Sequence, residues 1–219
     1  SGVDGQVSTV CINLIITCDT NIDIAFSLVC EYDYLDIAKL IKSLVPDAGR
    51  KTIQHIFRNV CANGHFDVIK WLYEIENQNI NIAANDHIIF ARACGRDLQI
   101  AQWLYETSGR TIDFLSNSGR AFNYACISGK MEIIQWIFDT NPAVITCIND
   151  TIFMNVCESG KIQVAKWLFE KQPTINITAG NHRALEFACR NGHADVANWL
   201  CELLPYNYSI NVSTDGIQW

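Results

Sequence analysis

The sequence predicts an all-α repeat solenoid of about six helix–loop–helix units joined by extended finger loops. Three observations carry this reading. Six cysteines recur as Cys30, Cys61, Cys94, Cys126, Cys157 and Cys189, spaced by 31, 33, 32, 31 and 32 residues. Trp71, Trp103, Trp136, Trp167 and Trp199 run in phase with them, and Leu40 fills that place in the first unit. All four prolines, Pro46, Pro142, Pro173 and Pro205, fall in one column six residues past the tryptophan position. A fixed period of this size marks stacked supersecondary units, each burying its apolar face on the next.

The elements follow in order from this register. In the first helix, Phe26, Phe57, Phe90, Phe122, Phe153 and Leu185 stand four residues before the cysteine. Val29, Val60, Ala93, Ala125, Val156 and Ala188 stand one before it, so the three columns share one helical face. Gly64, Gly129, Gly160 and Gly192 lie three residues after the cysteine, with Asp33 in that place in the first unit. Glycine there predicts a left-handed residue that ends the helix. The third unit is one residue short across Gly95-Arg96-Asp97, which predicts a tightened loop. The second helix carries Val68-Ile69, Ile100-Ala101 and Val164-Ala165 and then the aromatic column. Proline in phase stops it, with Asn77 and Gly109 in the same column. Links such as Ile80-Asn81-Ile82, Ile112-Asp113-Phe114 and Ile175-Asn176-Ile177 read as extended fingers, with turn formers such as Ser116-Asn117-Ser118-Gly119 behind them. On this register residues 1–18 are an N-terminal cap or the remnant of a preceding unit. Residues 19–205 are six repeats, and residues 206–219 are the finger of a truncated or capping seventh unit.

Composition narrows the function. The chain has 219 residues, 49% apolar, with 16 Lys plus Arg against 23 Asp plus Glu and a formal net charge of -7. The acid excess argues against a nucleic-acid or anionic-membrane partner, both of which need a basic face. The apolar run Val10 to Cys18 is too short to span a bilayer and follows no basic region. The ten cysteines include no C-x-x-C, and the in-phase six read as small buried side chains in a reducing, intracellular compartment. Cys147 and Cys201 are expected to be partly exposed.

The segments CANGHFDVIKWLYE (61–74) and CRNGHADVANWLCE (189–202) resemble the second-helix pattern of the ankyrin repeat family, Gly-His followed by Asp-Val and an aromatic-Leu pair. The Thr-Pro-Leu-His opening of that family is absent. The cysteine and tryptophan columns and the Ile-Asn-Ile fingers resemble the ankyrin proteins of amoeba-infecting giant viruses, which would place the chain in host cytoplasm. The resemblance implies a non-enzymatic scaffold, with no cofactor, that binds a protein or peptide on its concave face. A monomer is expected. The alternative is the targeting segment of a larger protein whose catalytic or ubiquitin-ligase-recruiting domain lies elsewhere; the opening Ser1-Gly2 reads as a cleavage scar.

The resemblance further implies that partner contacts come from finger tips and the exposed end of the first helix. The residues there are Lys51, Thr52, Gln54 and Asn63 in unit two, then Asn85, His87 and Arg96 in unit three. Asn117 and Ser128 follow in unit four, Glu158 in unit five, and His182, Arg190 and Asn191 in unit six. These positions differ from unit to unit while the core columns barely change, and their mixed polarity fits a protein partner better than a phosphate backbone. No phosphate-loop, dinucleotide or nucleophile-elbow motif occurs. His65 and His193 are expected to fix their loops, and the column Glu74, Glu106, Asp139, Glu170, Glu202 to face solvent. Lys70 and Lys166 are expected to pair with Glu74 and Glu170 at i,i+4.

Overall fold

A computed structural model describes residues 22–204, 211–213 and 216–218, with residues 85, 86 and the last two segments described by backbone alone. Cys11, Cys18, Thr20, Asn21, Trp219 and the side chain of Asn85 lie outside the described residues. Twelve α-helices are described, in six consecutive pairs. These are α1 (Ile22–Glu31) with α2 (Leu35–Leu44), and α3 (Ile53–Asn63) with α4 (Phe66–Glu76). Next come α5 (Ala84–Cys94) with α6 (Leu98–Thr107), and α7 (Ser116–Ser128) with α8 (Met131–Thr140). The last are α9 (Asp150–Glu158) with α10 (Ile162–Lys171), and α11 (Ala179–Arg190) with α12 (Ala194–Leu203). Strands β1 (Asn211–Ser213) and β2 (Gly216–Gln218) pair antiparallel, Val212 opposite Ile217.

The helices form two compact units. One runs to Ala93 and includes Gln99–Thr111; the other holds Cys94–Leu98 and the chain from Ile112. In the first, α1 packs on α3, α1 packs on α2 and α3 packs on α4. In the second, α9 packs between α7 and α11, and α10 lies against α12.

Phe26, Phe57, Phe90, Phe122 and Phe153 are all 0% exposed, and the cysteine one turn later is buried in every pair but the last, where Cys189 is half-buried. Burying each phenylalanine contributes about 1.5–3 kcal/mol. The indoles are half-buried, and Trp71, Trp167 and Trp199 rest on the phenylalanine of the preceding pair. Phe26–Trp71 and Phe122–Trp167 centroids are 6.2 Å apart, and Phe153–Trp199 6.1 Å. A further aromatic column, two residues past the tryptophan, meets the next indole edge-on: Tyr73 on Trp103, Phe138 on Trp167 and Phe169 on Trp199. Edge-to-face contacts of this kind add about 0.5–1.5 kcal/mol beyond area burial.

The caps form as the register predicts. Gly64, Gly129, Gly160 and Gly192 have φ of 88, 74, 68 and 76°, and Asp33 takes the same left-handed place at 65°. The shortened third link omits a left-handed residue: α5 stops at Cys94 itself, and α6 begins one residue sooner after the cysteine than the other second helices do. Helices α2, α8 and α10 end two residues before their prolines, and Val45, Asn141 and Gln172 leave the helical region as a residue before proline must. The turn formers open α7 and α11 with left-handed turns, at Asn117, Ser118 and Gly119 and at Gly180, Asn181 and His182.

Two expectations are corrected. Cys147 is buried, because the 3₁₀ turn Pro142–Cys147 folds its sulfur against Gly119, where a Cβ would lie 2.5 Å from Sγ. The Lys70–Glu74 and Lys166–Glu170 pairs do not form. Lys70 Nζ lies 3.2 Å from Asp67 and 4.6 Å from the Phe66 ring centroid, and Lys166 sits 6.0 Å from that of Trp199. An exposed ion pair contributes so little that an aromatic face or a nearer carboxylate displaces it.

Candidate partner-binding surface

The finger and helix-one positions divide into residues that hold neighbouring pairs together and residues that face outward. The column seven before the cysteine is the first kind in three pairs. Asp23 Oδ1 accepts from the Gly49 N–H at 2.6 Å, and Asp150 Oδ1 from the Asn176 N–H at 2.9 Å. Gln54 makes two bonds of 2.8 Å with Asn81: its Nε2 donates to the carbonyl and its Oε1 accepts from the N–H. Each bond ties a first helix to the finger entering the next pair. Where that column is His87, Gly119 or His182, the backbone is left-handed instead (φ 58, 71 and 64°). His182 is buried at 8% exposure and is therefore withdrawn from the outward set; His87 is half-buried.

The column two past the cysteine also links pairs. Asn63 Nδ2 donates to the Glu31 carbonyl and Asn191 Nδ2 to the Glu158 carbonyl, both at 3.0 Å. His65 Nε2 is 2.9 Å from the same Glu31 carbonyl. A carbonyl can only accept, so that nitrogen carries the proton. His193 instead packs over Gly160, where a Cβ would overlap its ring. His65 ties its loop to the preceding pair in this way, as its register implies.

Lys51, Thr52, Arg96, Asn117, Glu158 and Arg190 are exposed, and Ser128 is half-buried. Arg190 Nη2 is held by Glu186 at 2.9 Å, one turn back. Glu74, Glu106, Asp139, Glu170 and Glu202 are all exposed. On the helix-one face of the first unit the structure adds residues outside the predicted columns. His55, Arg58, Ile88 and Ile89 join Lys51, Thr52 and Gln54 around a cavity of about 390 Å³.

The electrostatics favour packing over chemistry. Burial pushes the Cys30 and Cys157 thiols up to about 12, and holds Cys61, Cys94 and Cys126 well above the ordinary thiol range. Thiols held protonated in this way are poor nucleophiles and poor metal ligands. The one strongly buried charge pair, among the described residues, joins second helices: Lys42 Nζ lies 2.7 Å from Glu76 Oε1. No described helix is long and apolar enough to cross a membrane.

Helix–loop–helix pairs with a left-handed cap and a stacked aromatic ladder make an all-α repeat fold that resembles the ankyrin-repeat solenoid. Residues 122–214 match the family model described as ankyrin repeats (3 copies). The register of those residues continues upstream through Phe90, Phe57 and Phe26. No curated protein matches the chain. Ankyrin repeats are generally protein–protein interaction modules.

Proposed function

We propose that this chain is a non-enzymatic scaffold that binds a protein or peptide through the finger tips and exposed first-helix ends of its repeats. The observation that carries the reading is the contrast between columns. The phenylalanine and in-phase cysteine positions hold one chemistry through nearly every pair. The exposed positions change from Lys51 and Thr52 to Arg96, Asn117, Glu158 and Arg190. A constant core beneath a varied polar rim suits recognition. Six repeats over residues 19–205 is the matching organisation, with residues 1–18 and 206–219 flanking them. The buried free thiols suit a reducing, intracellular setting. The cysteine and tryptophan style supports a viral origin and host cytoplasm, and the polar rim supports a monomer.

The test is affinity capture with the intact chain, repeated with an Arg96→Ala/Arg190→Ala variant and paired with thermal melts. Capture of a partner that the variant loses at unchanged melting temperature is the expected result, because surface substitutions stay within about 0.5 kcal/mol of parent stability and arginine is a favoured interface anchor. Full-strength binding by the variant would remove those two repeats from the surface.

A further inference from the structure

The cavity on the helix-one face of the first unit is positively charged and has an unsatisfied donor. Arg58 Nε is buried and has no hydrogen-bond partner. Lys51, exposed, lines the same cavity, as does His55, whose Nδ1 is 3.3 Å from Asn59 Nδ2. None of the described residues around it is acidic, and Ile88 and Ile89 of α5 supply an apolar wall. A buried guanidinium N–H without an acceptor is costly, and its natural complement is a carboxylate or another anion, which makes short, charge-assisted bonds.

A second depression of about 260 Å³ adjoins it and shares Thr52 and His55. Its floor is Ile24 and Leu28 of α1, 58% and 48% exposed. Asp23 also lines it, so an acidic group is repelled there and drawn to the Arg58 side. The two depressions together present an apolar site followed by a cationic one.

We propose that this surface binds an acidic peptide segment, its carboxylate side chain received by Arg58 and Lys51 and a neighbouring apolar side chain seated on Ile24 and Leu28. The proposal rests on the protein-binding reading above and names the chemistry of the partner. Nucleic acid is disfavoured, because a phosphate backbone calls for a broad basic face and this chain carries a net charge of -7.

The test uses the full ¹⁵N-labelled chain and observes the side-chain Nε–H resonance of Arg58 by NMR. The probes are acetyl-Ser-Leu-Ser-Glu-Leu-Ser-amide, its counterpart with Gln for Glu, and inorganic phosphate. The Glu peptide is expected to move the Arg58 resonance saturably and to bind about tenfold more tightly than the Gln peptide. Arg58→Gln should weaken the Glu peptide about tenfold and the exposed Lys51→Gln several-fold, the latter without a change in melting temperature. An Arg58 resonance that ignores the Glu peptide, or that responds equally to the Gln peptide, would overturn the proposal. So would phosphate binding more tightly than the Glu peptide. Failure of the broader reading looks different: affinity capture then retains no protein, whatever residue occupies position 58.

Discussion

Replacing Glu76 by Gln leaves the Lys42 ammonium in a buried site with no counter-charge. The two side chains are 5% and 10% exposed, and their contact joins the second helices of the first two pairs. Removing one partner of a buried pair costs about 3–5 kcal/mol, mostly as the desolvation of the charge left behind. Gln keeps a neutral acceptor near Nζ, and the Pro46 carbonyl still accepts from Lys42 at 3.0 Å, so the low end applies, about 3 kcal/mol. For a chain of this size that is a fall in Tm of about 6–12 °C. The effect should depend on pH. Burial alone would raise the Glu76 pKa. Hydrogen bonds from Lys42 and Asn79, with the charges of Lys42 and Arg50, outweigh it and hold the carboxyl below its ordinary value. A depressed folded pKa contributes stability above the unfolded value of about 4.3, and that stability is lost as pH falls through the folded pKa. Thermal melts at pH 7 and pH 3 should therefore show the gap between parent and Glu76→Gln wide at pH 7 and narrower at pH 3. Lys42→Met/Glu76→Leu, which removes both charges, should recover most of the loss. A Glu76→Gln variant that melts with the parent at pH 7, or a gap unchanged at pH 3, would refute the argument.

Among the described cysteines, brief alkylation followed by mass spectrometry should label the exposed Cys201 first and the half-buried Cys189 next, while Cys61, Cys94 and Cys126 stay unmodified until the chain unfolds; rapid labelling of Cys126 would contradict the helix-one register. Trp167→Ala removes contacts with Phe122 and Phe138 and should cost about 3 kcal/mol in denaturant unfolding, the low end for a large aromatic because the indole is only half-buried. Gln54→Ala breaks both bonds to Asn81 and should cost about 1 kcal/mol, with faster hydrogen exchange at the Asn81 amide as the local readout. Gly119→Ala meets both a left-handed backbone and the Cys147 sulfur and should lower stability by about 1–3 kcal/mol in the same assay.

The sequence by itself determined the register, and with it the core. The phenylalanine and cysteine columns, the left-handed caps and the proline stops are local features: helical periodicity and backbone sterics act within a few residues, so a single chain displays them. Even the missing residue after Cys94 could be located, because it shifts one column against another. The roles of the polar residues were decided only by tertiary structure. Gln54 and Asn191 occupy columns that read as partner contacts, yet each reaches the backbone of an adjacent pair. Whether such a bond forms depends on where that backbone lies, some 26 to 33 residues away in sequence. Glu76 reads as one more helix-surface carboxylate until Lys42, thirty-four residues earlier, is placed against it. Cys147 reads as a finger-tip thiol until the 3₁₀ turn folds it onto Gly119. Arg58 sits on the first-helix face, outside the finger columns, and gives no periodic signal. The burial of its Nε beside Ile88 and Ile89 arises only when α3 and α5 are set side by side, because desolvation belongs to the packed assembly of helices and not to any one of them.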